Sequence, residues 1–193
     1  MSTESVAKTK VNLHPPFVTR LTAPLLANCA VVALLLGAVN YVTAPIIDAM
    51  QAEKTKAAMA QVLAADDYLP VEGSFDGVVA MYEAVSGGQT IGYVAEVASN
   101  GFGGAISMVV GVDVNGAVTG VAVTNDKETA NIGTKVTRDQ SVLDRFVGMS
   151  QAAGQITVNT GANAFDGVSG ATVSSRGVTG GVNAALNAVG SLK

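Results

Sequence analysis

The sequence predicts an α+β protein: an N-terminal single transmembrane helix, followed by a domain in which an antiparallel sheet is flanked by helices. Three observations carry this. Residues 21–47 hold no formal charge. Four runs rich in β-formers follow between Val78 and Val123, parted by glycine-containing turns. Segments with helical apolar spacing lie on either side of those runs, over 48–65, over 139–149 and from Ser174 onward. Helices beside an antiparallel sheet define the α+β class. A chain of 193 residues suffices for one span and one such domain.

The first element runs between Arg20 and Asp48 and includes Leu25, Leu26, Val31, Val32, Leu34, Leu35 and Leu36. As a helix, 27 residues reach about 40 Å, against a hydrocarbon core of roughly 30 Å. Pro24 and Pro45 are expected near its ends, where a missing N–H costs little. A cleaved signal peptide is the competing reading, with Val42-Thr43-Ala44 as a small-residue site. Pro45 directly after the cut disfavours it, and so does an apolar run longer than the ~7–15 residues of a signal core.

Charge sets the expected orientation. Lys8, Lys10 and Arg20 precede the span, which places residues 1–20 in the cytoplasm as an N-terminal tail. Lys54 and Lys56 on the other side weaken this asymmetry without reversing it. The organisation expected is a tail over 1–20, a transmembrane helix over 21–47, a helical stalk and linker over 48–77, and an extracytoplasmic domain over 78–193, all at the cell membrane. Residues 48–193 carry eight Lys or Arg against 14 Asp or Glu. A domain with that acidic balance is not expected to bind nucleic acid. Cys29, the only cysteine, lies in the span, so the outer domain has no thiol for a disulfide, an iron–sulfur cluster or a cysteine zinc site. No metal site is expected. His14, the only histidine, lies on the cytoplasmic side, which excludes histidine ligation of haem in the outer domain.

The helix over 48–65 is rich in alanine, glutamine and lysine, with Met59, Val62 and Leu63 at helical spacing. Asp66, Asp67 and Pro70 end it. The strands are 78–85, 91–97, 105–114 and 117–123. Ser86-Gly87-Gly88 turns the first pair, and Asn115-Gly116 reads as a two-residue hairpin turn for the last, giving an antiparallel meander. Over 139–149, Asp139 caps a helix with Val142, Leu143, Phe146 and Val147 on one face. A short strand over 155–158 precedes a glycine-rich stretch. The last helix begins near Ser174 and buries Val182, Ala185, Leu186 and Val189, with Gly177, Gly180 and Gly181 weakening it.

The stretch richest in chemistry is Asp166-Gly-Val-Ser-Gly-Ala-Thr172-Val-Ser-Ser175. Gly170 and Ala171 leave room for a bulky group at the backbone. A helix start offers free N–H groups and the positive end of its dipole, both suited to a phosphate. Ser169, Thr172, Ser174 and Ser175 add hydroxyls. Equally, such residues simply cap helices. No Gly-Lys-Ser/Thr follows the glycines, which rules out a nucleotide-hydrolase phosphate loop.

Asp166-x-x-Ser169-Gly170-Ala171-Thr172 resembles the flavinylation motif of covalent FMN-binding domains. The resemblance extends through Gly92-Tyr93, Gly101-Phe102-Gly103-Gly104, Ile106, Met108, the run 109–113 and Gly120-Val121, and covers roughly residues 78–190. Where the family has Glu-Thr-Pro-Gly-Leu-Gly, this chain has Glu128-Thr129-Ala130-Asn131-Ile132-Gly133, followed by Lys135. The departure bears on the geometry of that turn. Asn131 tolerates positive φ better than most residues.

The resemblance implies a covalent FMN, its 5′-phosphate esterified to Thr172 by a flavin transferase acting on the motif from Asp166 to Thr172. It implies cofactor neighbours Glu128, Thr129, Ile132, Gly133, Lys135, Ser169, Gly170, Ala171, Ser174 and Ser175. Lys135 and Arg138 also read as a solvated surface pair. Tyr93 and Phe102 either border the ring or belong to the core, and Met108 reads as core. An anchor with one short FMN domain resembles the G subunit of the Rnf complex, an ion-translocating ferredoxin:NAD oxidoreductase. The C subunit of the sodium-translocating NADH:quinone oxidoreductase shares the domain in a longer chain. A membrane-anchored binding module without cofactor is the alternative from another class. The implied role is electron relay to and from other membrane and peripheral subunits, with no catalytic residue and no substrate transformed on this chain alone.

Overall fold

The computed structural model describes residues 15–192; Lys8, Lys10 and His14 of the tail lie outside the described residues. The chain divides after Ala49 into two compact units. Helix α1 spans Pro15–Val62, and its turns from Met50 onward belong to the second unit.

In the first unit, the helix is long and apolar enough to cross a membrane, with a mean hydropathy of 2.0 over its best window and none of that window buried by protein. Leu25, Leu26, Leu34, Leu35 and Leu36 are each more than 60% exposed. An apolar surface of that extent calls for lipid or protein cover. Pro24 and Pro45 do not sit at its ends as expected: both lie inside the helix. Each removes one backbone hydrogen bond without ending the element, as helices in lipid tolerate.

In the second unit, five strands form an antiparallel meander in the order β1-β2-β3-β4-β5. They are β1 Asp67–Pro70, β2 Val78–Ser86, β3 Gln89–Asn100, β4 Ala105–Asp113 and β5 Val118–Asn125. Strand β1 is an addition to what the sequence predicts. Its Asp-Tyr-Leu-Pro sequence looks like a helix stop, yet it pairs with β2 at the sheet edge, where proline is tolerated. Gly87 and Gly88 both have positive φ (59° and 77°), the two-residue turn that matches strand twist. The Asn115-Gly116 turn is longer than expected. Asp113 N–H donates to the Ala117 carbonyl at 2.9 Å, which leaves residues 114–116 as a three-residue loop with Gly116 at φ 87°.

The sheet is covered on both faces, which is why β4 reads Val109-Val110-Gly111-Val112 without polar alternation. On one face Ala58, Met59 and Val62 of α1 pack on Ala84, Val94, Val109 and Ala122. A Cβ on Gly111 would come within 2.8 Å of the Val62 carbonyl oxygen, so the helix end fits only over glycine. Thr119 Oγ1 and the Tyr68 hydroxyl donate to the terminal Val62 and Leu63 carbonyls, each at 2.7 Å.

On the other face lies α4, Thr172–Gly190, two residues earlier in its start than expected. Val178, Val182, Ala185 and Val189 pack on Met81, Val97, Met108 and Val110. Gly181 does not weaken this helix in context: a Cβ there would lie 2.9 Å from Met108 Sδ. The segment between β5 and α4 holds the short helices α2 Thr134–Thr137 and α3 Gln140–Leu143, then a 3-10 turn Asp144–Phe146. The expected helix over 139–149 therefore stops early. Val142, Leu143 and Phe146 are buried, but Val147 is extended and half exposed, and Gly148 N–H donates to the Val118 carbonyl on the sheet edge. A two-residue parallel pair, β6 Thr157–Val158 with β7 Ala164–Phe165, replaces the longer strand expected over 155–158.

Three aspartates fix turns in this unit, and each carboxyl is held below its ordinary range. Asp66 accepts from Gly87 N–H and the Ser86 hydroxyl. Burial pushes Asp113 up, but donors from Ala117 and Asn115 outweigh it. Asp139 accepts from the Ser141 hydroxyl and N–H, capping α3 as expected. A carboxyl whose folded pKa lies below its unfolded value of about 3.9 stabilises the fold above that value and loses this as pH falls through the folded pKa. Thermal melts should therefore hold level from about pH 7 to about pH 5 and fall below about pH 4. A melting temperature that rises on acidification contradicts the assignment.

Candidate functional site

Three chain segments meet at the start of α4. The first is the β3–β4 loop, residues 101–104, closed by Gly101 N–H donating to the Gly104 carbonyl at 2.8 Å. It presents Phe102, 71% exposed. The second is the turn from Glu128 to Gly133. Asn131 takes φ 62° there, in the left-handed region that asparagine tolerates better than most residues. The Thr129 carbonyl accepts from Ile132 and Thr134, both at 3.2 Å, and Thr134 Oγ1 accepts from Asn131 N–H at 2.9 Å. The third is the motif itself. Gly170 has φ 81° with open space where a Cβ would stand, so glycine serves backbone conformation here rather than clearance.

Between these segments lies a cavity of about 420 Å³ lined by Phe102, Glu128, Thr129, Ile132, Gly133, Gly170, Ala171, Thr172, Val173 and Ser174. Of the residues singled out in the sequence, Glu128, Thr129, Ile132, Gly133, Gly170, Ala171, Thr172 and Ser174 come together on its wall. Lys135, Ser169 and Ser175 do not line it. Lys135 and Ser169 lie outside it, while Ser175 is fully buried and its Oγ accepts from Val168 N–H at 3.2 Å. Phe102 stands on the rim, whereas Tyr93 packs against the core and Met108 lies within it. Val173 also lines the cavity, and sequence pattern does not single it out; the one signal for it is its place in the first helical turn. Arg138 pairs with Asp126 at 3.1 Å.

The first turn of α4 leaves backbone donors free. Its N-cap is Ala171, with no side-chain cap. Among the described residues the N–H groups of Thr172, Val173 and Ser174 have no partner, and Ser175 N–H is the first to enter the helix, donating to the Ala171 carbonyl at 2.9 Å. The hydroxyls therefore do not act as caps, the plain alternative left open by the sequence. Ser174 Oγ donates to Glu128 Oε2 at 2.7 Å. Thr172 is exposed at the helix start. Free donors and the positive dipole end beside a hydroxyl fit a phosphate. The exposed apolar faces of Phe102, Ile132 and Val173 fit a flat ring next to it.

The motif is held from behind. Arg145 Nη1 donates to the Asp166 carbonyl at 3.0 Å, and Phe165 stacks on Phe146 with ring centroids 4.0 Å apart.

Comparison with known proteins identifies the family. Residues 101–187 match the FMN-binding domain family. The chain is 33% identical to the G subunit of the ion-translocating oxidoreductase complex of Methanosarcina acetivorans, covering 89% of this chain and 94% of that one. It is 30% identical to the G subunit of the proton-translocating ferredoxin:NAD(+) oxidoreductase complex of Clostridium ljungdahlii, covering 88% and 90%. The C subunit of the Na(+)-translocating NADH-quinone reductase from Parabacteroides distasonis shares the fold, with a TM-score of 0.50 and 18% identity over 70% of this chain and 78% of that one. With an FMN-binding domain after a helix of membrane-spanning length, and with relatives matched over nearly their whole length, the chain belongs to the G-subunit family of the ion-translocating oxidoreductase complexes.

Proposed function

We propose that this chain is an electron-relay subunit of a membrane-bound ion-translocating ferredoxin:NAD oxidoreductase and carries its FMN as a phosphoester on Thr172. The observation that carries the reading is the exposed Thr172 at an uncapped helix start, on the wall of a largely apolar cavity. When bound, FMN supplies reversible uptake and release of electrons. The chain's own residues do the rest. The N–H groups of Thr172, Val173 and Ser174 would hold the phosphate, Gly170 sets the turn that brings Thr172 to the cavity, and Phe102, Ile132 and Val173 would cover the ring with apolar surface. Glu128 is the only titratable side chain among the lining residues, and both its oxygens are already engaged by the protein. A wall without a free acid or base suits electron relay better than proton-coupled chemistry.

In this reading the apolar helix anchors the chain, with Lys8, Lys10 and Arg20 on the cytoplasmic side and the FMN domain outside. A flavin transferase makes the ester, and other membrane and peripheral subunits supply and take the electrons. The relatives matched over most of their length are G subunits of ion-translocating oxidoreductase complexes, one of them a ferredoxin:NAD(+) oxidoreductase, which favours this assembly over the quinone reductase.

The test is the full chain expressed in a host holding the transferase. An Oγ–P bond replaces one Thr O–H and one P–OH, so the intact mass should rise by FMN less one water. Protease added outside intact cells should release the fluorescent domain. An unmodified chain supports a cofactor-free binding module instead, and fluorescence protected from external protease reverses the orientation.

A further inference from the structure

Glu128 is 8% exposed and sits in the cavity wall, yet among the described residues no lysine or arginine pairs with it. Its partners are all uncharged donors. Oε1 accepts from Phe102 N–H at 2.8 Å and Gly103 N–H at 3.3 Å; Oε2 accepts the Ser174 hydroxyl at 2.7 Å. One side chain thus joins the Phe102 loop, its own turn and the first turn of α4, segments far apart in sequence. The surroundings are shaped to it. A Cβ on Gly101 would lie 1.9 Å from Oε1, and one on Gly133 would lie 2.2 Å from Oε2. Glycine at both positions is needed to seat the carboxylate. A buried carboxylate is retained only where donors compensate its lost hydration, and three donors with a helix N-terminus nearby do so.

We propose that Glu128 is a positioning residue: its buried carboxylate clamps the Phe102 loop to the first turn of α4 and places a fixed negative charge in the wall of the cavity. The clamp is a property of the chain alone. The charge has a consequence only with FMN present, and that part rests on the proposed function. A negative charge in the cavity wall opposes addition of electrons to a flavin held in that cavity, so the carboxylate would hold the flavin's potential down.

Glutamine and alanine separate the two roles. In Glu128→Gln the amide oxygen still accepts from Phe102 and Gly103, and the amide N–H meets a Ser174 lone pair, so shape is kept and charge is lost. In Glu128→Ala both are lost. Amide hydrogen exchange on the full chain made without the transferase reads the clamp with no flavin present. Phe102 and Gly103 should exchange about tenfold faster in Glu128→Ala and near the parent rate in Glu128→Gln. Ser174→Ala, which removes one arm only, should speed exchange less, and it stands in if Glu128→Ala does not fold. Redox titration of the flavinylated chains reads the charge: the midpoint potential of Glu128→Gln should lie above that of the parent. Parent-like exchange in Glu128→Ala, or in Ser174→Ala where it stands in, overturns the clamp. An unchanged or lower potential in Glu128→Gln overturns the charge role. Failure of FMN attachment in the parent chain leaves the exchange result standing, so the two readings fail separately.

Discussion

Thr172→Ala is expected to remove all covalently held flavin and leave the fold in place. The side chain is exposed and belongs to neither core cluster. It does not cap α4, whose N-cap position is Ala171. Alanine is the better helix former by roughly 0.5 kcal/mol, so stability should be unchanged or slightly raised. A denaturing gel then shows a chain of normal abundance without in-gel fluorescence, and a thermal melt shows the parent transition. Fluorescence persisting in this variant moves the attachment to another residue; loss of the folded transition would mean that Thr172 carries structure rather than cofactor.

Phe146→Ala is expected to cost about 3–5 kcal/mol, a large share of the roughly 5–15 kcal/mol that holds a domain of this size. Phe146 is fully buried, and its ring stacks on Phe165 at 4.0 Å with the planes 10° apart. Truncation removes one of the two buried rings that join the 3-10 turn to β7 and leaves a cavity beside Phe165. Phe165 immediately precedes Asp166, so the loosened support lies at the root of the motif, where Arg145 also holds the Asp166 carbonyl. Denaturant unfolding should show a lower midpoint with an unchanged slope. Amides from 164 to 171 should exchange faster than those of β3 and β4. A change below about 1 kcal/mol would show that the two rings contribute little beyond their neighbours.

The core sheet was legible because its determinants are local: β-branched runs with glycine turns place β2 to β5 in order, and the pairing follows from the meander. Strand β1 was not. In Asp-Tyr-Leu-Pro only Tyr68 favours a strand while Asp67 and Pro70 oppose one, and the element forms against the edge that β2 offers. The segment after β5 reads as one helix because Val142, Leu143 and Phe146 fall on one side in an α-helix and in a shorter helix followed by a 3-10 turn alike. At the site, the motif and the 128–133 turn came from a resemblance, and folding brings eight of their residues to one cavity. Ser174 and Ser175 show what sequence adjacency hides. Consecutive helix positions point about 100° apart; Ser174 faces Glu128 in the cavity wall, and Ser175 turns inward to hold Val168. The placement of Phe102 on the rim depends on Glu128 across 26 residues of sequence, which no local pattern encodes.

Peptide mapping of the chain produced with the transferase tests the central claim most directly. Trypsin cutting after Arg145 and Arg176 yields a fragment of residues 146–176 that contains the whole motif. Tandem mass spectrometry should find FMN less one water on that fragment, with the fragment ions placing it on Thr172. A fragment carrying a bare Thr172, whether the flavin sits elsewhere or is absent, contradicts the account.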